Sequence, residues 1–400
     1  MTARFLKPVS DDELRAEVRA FLKEHWKGLP HRSDQWTVGP EQRAWQAKVV
    51  DARWAVNRWP VEWYGRGLAD RQAKIVEAEF AAVRAPGAGQ DRTHLYAITA
   101  FNFGTETMKA ALLRSMLTGD INMCLLYSEP GAGSDLAGVR TRAEPDGGDY
   151  VVTGQKVWTS GAMTADYGML IARTDWDVPK HSGISFFFLP MKQPGVEVRP
   201  LRQVTDEAHF NEVFIDGARV AGDFMLGGLN NGWRVLQTAL AYERSVMGDA
   251  ARGPRRGGDR ATMADLAREA GRLGDPVTRQ HLAQVIAWRR LNALNNARAK
   301  ADLKLGTSSS VMSLGKLAMS RILHEEARFR TMLLGAQSLL EGEANPRADD
   351  ANFLSLNAYF TSIGGGTDQI QRNIIGERVL GLPKEPEIDR TIPFRDVRAG

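Results

Sequence analysis

Hydrophobic positions change their period twice along the chain. Up to about residue 119 the pattern is helical. Ser10 followed by Asp11, Asp12 and Glu13 supplies an N-cap with acids in the first turn. Leu14, Val18, Phe21 and Leu22 then form an i, i+4, i+7, i+8 stripe. Residues 74–85 (KIVEAEFAAVRA) predict another helix, stopped by Pro86-Gly87, and residues 106–118 a further one, stopped by Gly119. From about 122 to 223 the period shortens. β-branched and aromatic runs at 150–152, 167–172, 183–190 (GISFFFLP), 196–198 and 209–215 are separated by turns such as Asp146-Gly147-Gly148, Pro194-Gly195 and Asp216-Gly217. That spacing predicts antiparallel strands in a small barrel or sandwich. Helical periods return over 233–247, 265–273, 276–304, 313–340 and 367–380, with residues 307–310 as a helix-capping loop. The order α, β, α therefore predicts an α+β fold.

Composition narrows the function classes. Four hundred residues with 43% hydrophobic and 25% charged side chains suit a globular protein of two or three substructures. The 52 cationic and 48 anionic side chains nearly cancel, and only residues 251–260 (ARGPRRGGDR) gather several cations. That run reads as a solvated loop rather than a nucleic-acid stripe, though it could help hold a phosphorylated ligand. The single cysteine, Cys124, can form no internal disulfide, and it sits in the apolar run 123–126. It reads as a buried small hydrophobe in a reducing compartment rather than as a thiol nucleophile. The first residues turn polar at once, and no apolar run reaches the roughly 18 residues of a membrane span. The expectation is a cytoplasmic protein with no membrane or nucleic-acid partner and no metal.

Two segments carry chemistry. Residues 127–138 read YSEPGAGSDLAG, a small-residue turn that lets backbone approach a flat or phosphorylated ligand closely. About twenty residues later comes GQKVWTSG, residues 154–161, which sets the indole of Trp158 beside the hydroxyls of Thr159 and Ser160. An aromatic wall with nearby donors suits an isoalloxazine ring, whose faces are apolar and whose edge is lined with acceptors.

These segments, with GGGTDQIQRNIIGERVLGL at 364–382, resemble the three signatures of the acyl-CoA dehydrogenase family, in order and across nearly the whole chain. The resemblance implies an N-terminal helical domain (1–121), a central antiparallel β-barrel-like domain (122–228) and a C-terminal four-helix bundle (229–400). It implies FAD between the β-domain and the bundle, with the adenosine end reaching into a neighbouring subunit. Tyr127 and Ser128 would line the flavin, and Gly133 and Ser134 would contact flavin or the thioester's pantetheine-phosphate arm. Trp158 would pack on the ring system beside Thr159, Ser160 would sit near N5, and Thr367 and Gln369 would fix the cofactor from the C-terminal side. The implied reaction is α,β-dehydrogenation of an acyl-CoA. A carboxylate takes the α-proton and the β-hydrogen leaves as hydride to N5. Electrons would pass on to an electron-transferring flavoprotein, and the protein would be a homodimer or homotetramer.

The chain departs from the commonest members in two places. Where they carry the base as Glu in Tyr-Glu-Gly-Thr, this chain reads Gly364-Gly365-Gly366-Thr367. A minority branch typified by isovaleryl-CoA dehydrogenase carries its base on an early helix of the bundle. The matching segment, 241–248 (AYERSVMG), offers Glu243 as base, with Arg244 on the substrate side. Asp368 is the nearby alternative, one residue past the threonine. The Arg-x-x-Phe-Gly and Gln-x-x-Gly-Gly elements that grip FAD across a subunit boundary are also missing; Met332-Leu333-Leu334-Gly335-Ala336 stands at the second. Such losses resemble actinobacterial members that act on bulky or steroid-derived acyl-CoAs, sometimes as hetero-oligomers. Two other readings remain: an FAD-binding or half-site partner subunit, and a family-fold flavin oxidase or monooxygenase on a non-CoA substrate.

Overall fold

The computed structural model describes residues 10–28, 38–250, 262–305, 312–387 and 389–397, without the side chains of Ala241, 243–250, Lys300, 303–304 and 312–313. The cationic run 251–260 and the loop 307–310 lie outside the described residues. The chain forms two compact units. One draws on Met1–Leu201, Ala208–Glu243 and Ile388–Gly400, the other on Arg202–Glu207 and Arg244–Glu387.

In the first unit, helix α1 (Asp11–His25) begins with a capping box. The Ser10 hydroxyl accepts from the Glu13 amide while the Glu13 carboxylate accepts from the Ser10 amide at 2.9 Å, which satisfies two amides that the first turn leaves free. Leu14, Val18 and Leu22 are its buried stripe, as the period predicts. Helices α2 (Pro40–Asp51), α3 (Asp70–Ala82), α4 (Gln90–Thr93), α5 (Leu95–Phe103) and α6 (Glu106–Thr118) follow. Glu79 on α3 ties α1 down by accepting from Arg19 at 2.8 Å and Arg15 at 3.0 Å. Helix α6 stops at Gly119, whose φ of 77° supplies the left-handed end.

Eight strands come next: β1 (Met123–Leu126), β2 (Arg142–Asp146), β3 (Asp149–Ser160), β4 (Tyr167–Arg173), β5 (Ile184–Pro190), β6 (Val196–Leu201), β7 (Phe210–Ala221) and β8 (Met225–Leu226). Their order is β6-β7-β3-β2-β4-β5-β8, with β1 on β4. The expected barrel does not form, and pairing is not wholly antiparallel: β1 and β2 both run parallel to β4. Closure requires long, staggered strands all round. Here β8 is two residues long, and β2 meets β4 only through Arg142 and Arg173, so the sheet stays open. Strands β4 and β5 are buried on both faces, which is why they read as continuous apolar runs. Met169, Ile171, Phe186 and Phe188 join the core under the helices, while Leu170, Ala172, Phe187 and Leu189 fill the opposite face. Cys124 is fully buried, and burial pushes its thiol up to about 12, so it packs as an apolar group.

Helix α7 (Gly232–Ala250) follows, then α8 (Met263–Glu269), α9 (Pro276–Lys304), α10 (Met312–Leu334), α11 (Pro346–Ile363) and α12 (Asp368–Ile374). In the second unit α10 packs against α9, α11 and α12. Ala267, Leu282 and Phe329 are buried together there.

Candidate functional site

The glycine-rich segment leaves β1 at Leu126. It folds back at Pro130-Gly131, where Glu129 and Ala132 exchange backbone hydrogen bonds of 2.9 and 3.0 Å. A Cβ added at Gly131 or Gly133 would meet no heavy atom within 4 Å. The turn thus presents bare, open backbone. Gly133 and Ser134 are exposed and Ser128 is half-buried, whereas the Tyr127 ring is buried edge-on to Phe186 at 5.9 Å.

GQKVWTSG is the second half of β3, and the register of β3 on β7 slips between Lys156 and Thr159. This bulge puts Trp158 at φ 61° with 58% of its surface exposed, edge-on to Phe210 at 5.9 Å. Thr159 is buried and its hydroxyl has no hydrogen-bond partner among the described residues. The Asn211 amide donates to the Thr159 carbonyl at 2.8 Å, leaving its own carbonyl oxygen unpartnered. Ser160 ends the strand, half-buried, opposite Phe210.

The two segments meet: the Val157 amide donates to the Ser128 carbonyl at 2.9 Å. A buried ion pair locks the junction. Lys156, fully buried, donates to the Tyr127 carbonyl at 3.1 Å and to Glu129 at 2.8 Å. Glu129 also accepts from the Arg140 and Thr141 amides at 2.7 and 2.9 Å. Burial works to raise the Glu129 carboxyl, but the Lys156 charge and the amide donors outweigh it and hold it below the usual carboxylate range. Sequence reading passed over Glu129 and Lys156. The available signal was a charge of each sign inside otherwise small or apolar motifs.

In the second unit, α11 gives way to Gly364-Gly365-Gly366, with φ of 64° and 87° at the last two. Thr367 caps α12, its hydroxyl accepting from the Ile370 amide at 3.1 Å, and Gln369 is exposed. Asp368 accepts from Ser320 at 2.8 Å and Lys316 at 3.3 Å. Ser320 in turn meets Ser362, which meets His324 at 2.7 Å. Glu243 and Arg244 stand on α7, but their side chains lie outside the described residues. Among the described residues no three His, Cys, Asp or Glu groups gather as a metal site. Among the described residues no helix is long and apolar enough to cross a membrane.

An open turn of bare backbone, an exposed indole and an unpartnered buried hydroxyl beside it fit a flavin. The fold and this site define a flavoprotein oxidoreductase. Comparison with known proteins gives the family. Residues 10–120, 124–217 and 230–380 match the acyl-CoA dehydrogenase N-terminal, middle and C-terminal domains. The acyl-CoA dehydrogenase IpdE1 of Mycobacterium tuberculosis is 34% identical over 387 residues, covering 94% of this chain and 98% of that one. IpdE1 of Mycolicibacterium smegmatis is 36% identical, covering 93% and 98%. FadE34 of Mycobacterium tuberculosis is 35% identical over 86% of this chain, which spans 47% of the FadE34 length. Among solved structures, the Tcur3481-Tcur3483 steroid ACAD superposes with a TM-score of 0.70 at 29% identity, over 95% of this chain and 100% of that one. The ChsE4-ChsE5 complex from Mycobacterium tuberculosis gives 0.64 at 26%, over 95% and 100%. The chain belongs to the acyl-CoA dehydrogenases, a family of FAD-dependent oxidoreductases.

Proposed function

We propose that this protein dehydrogenates a bulky, ring-containing acyl-CoA at its α,β bond, with Glu243 as the α-proton base. The observation that carries this is the turn at 364–366. No carboxylate stands there, and Gly365 holds a left-handed backbone that a side-chain-bearing base would adopt only at a cost. Asp368, the nearest acid, is engaged by Lys316 and Ser320. In sequence Glu243 falls four residues after Ala239, seven after Leu236 and eight after Val235, which are buried positions of α7.

Glu243 would take the α-proton, and FAD, when bound, would supply the two-electron oxidation by receiving the β-hydrogen as hydride, which leaves the new C=C bond. Trp158 would wall the ring system, with Thr159, Ser160 and Ser128 as hydroxyl donors and Tyr127 behind them. Gly133 and Ser134 would meet the flavin or the pantetheine-phosphate arm, Arg244 the substrate, and Thr367 and Gln369 the cofactor. Donors at the thioester carbonyl would hold the charge that develops as the α-proton leaves. The relatives named steroid ACAD support a ring-bearing acyl group, and an electron-transferring flavoprotein would take up the electrons.

Anaerobic titration with short, branched and steroid-derived acyl-CoAs tests this reading. The steroid-derived thioester should bleach the flavin about tenfold faster than butyryl-CoA. Bleaching by none of the panel would leave oxidase or monooxygenase chemistry on a non-CoA substrate in its place.

A second reading, a half-site subunit of a hetero-oligomer, is favoured by the two-chain names of the neighbouring structures. In the second unit Ile286, Leu291 and Leu294 on α9 and Tyr359 and Ile363 on α11 are all more than half exposed. Apolar surface of that extent supports an assembled protein, either a homo-oligomer or a pair of unlike chains.

A further inference from the structure

The stretch 389–397 returns to the unit that carries the glycine-rich turn. Three cations join it to that turn. Lys180 stands between Asp389, at 2.8 Å, and Asp135, at 2.9 Å. Arg173 lies under the Phe394 ring, its guanidinium carbon 3.6 Å from the centroid, and donates to the carbonyls of Ala137 at 2.6 Å and Val139 at 3.2 Å. Arg140 donates to the Val397 carbonyl at 2.9 Å, while its own amide binds Glu129.

Phe394 is 1% exposed, lies 5.4 Å from the Trp176 ring and donates its amide to the Val178 carbonyl at 2.9 Å. The stretch is therefore seated, not draped. Arg173 is fully buried, and the carboxylates of Glu129, Asp135 and Asp175 favour its charge against the cost of burial. Its charge is compensated by carbonyls of the turn, by the Lys180 carbonyl at 2.6 Å and by the face of Phe394. Removing that ring would open the cation to water and loosen its hold on Ala137 and Val139.

We infer that residues 389–397 are a strap that holds the turn 128–138 in its ligand-ready shape, so that FAD affinity depends on this distant segment. The dependence on FAD rests on the reading that this turn meets the cofactor. Asp389, Phe394, Lys180 and Arg173 are positioning residues.

Amide hydrogen exchange and FAD affinity, both on the full-length apoprotein, test the strap. In Phe394→Ala, exchange across 128–138 should quicken about tenfold while β7 keeps its rate, and the FAD dissociation constant should rise about tenfold. Asp389→Asn should move both about threefold in the same direction. Unchanged exchange across 128–138 overturns the strap, as does an equal rise in the turn and in β7. If Phe394→Ala does not fold, Asp389→Asn alone decides by the same two criteria. A wild-type protein that takes up no FAD would refute the cofactor role of the turn, while the exchange comparison would still decide the strap.

Discussion

At the scale of single residues, the proposed reaction turns on one carboxylate, that of Glu243. Glu243→Gln preserves shape and hydrogen-bonding capacity but cannot accept the α-proton. It should keep its FAD and lose about 10³-fold in the rate of anaerobic bleaching by an acyl-CoA that reduces the wild type. Stopped-flow absorbance of the flavin reads both quantities, and a Gln variant at the wild-type rate would remove Glu243 from the mechanism. Trp158 illustrates a different residue-scale effect. Its φ of 61° is costly for a bulky side chain, and the bulge that imposes it leaves the indole exposed beside two hydroxyl-bearing residues. The sequence shows the indole and the hydroxyls but not the bulge, because a register slip depends on what β7 offers opposite.

The element scale is where Lys156 and Glu129 act, joining the turn after β1 to the edge of the bulge in β3. Replacing Lys156 by Met would strand a nearly buried carboxylate. The expected cost is about 3–5 kcal/mol of stability, most of it recovered in Lys156→Met/Glu129→Gln, where no charge remains unpaired. Denaturant midpoints of the three proteins check this; equal midpoints for the single and double variants would contradict it. The pair also sets a pH dependence. The Glu129 carboxyl is held below its unfolded value, so its share of stability is complete above about pH 4.3 and is lost as pH falls toward the folded-state value. Glu129→Gln should flatten that part of the acid-unfolding curve. Element boundaries were legible where local chemistry marks them. The Ser10 capping box, Gly119 and Thr367 mark ends that the helices observe. Helices α2 and α11 escaped because their apolar positions lack a sustained stripe, and β1 and β2 are too short to show alternation.

For the whole molecule, the open question is whether one chain makes a complete flavin site. The two-chain structures to which this chain is similar bear on that directly. A complete catalytic chain should purify yellow, with about one FAD per chain and a homo-oligomeric mass. A half-site subunit should carry about half an FAD per chain or none until its partner is added. Absorbance at the flavin band together with light scattering distinguishes the two.

By itself the sequence determined the α, β, α order and the family, because these rest on period, capping and residue types close together in the chain. It also determined that no carboxylate stands at position 365. The tertiary structure alone decided three things. The sheet stays open, since closure depends on the relative lengths of strands far apart in sequence. A buried Lys–Glu pair joins the two motifs, since burial of a charge is a property of its neighbours. Residues 389–397 grip a turn more than 250 positions earlier through Arg140 and Val397, a contact that no local period encodes.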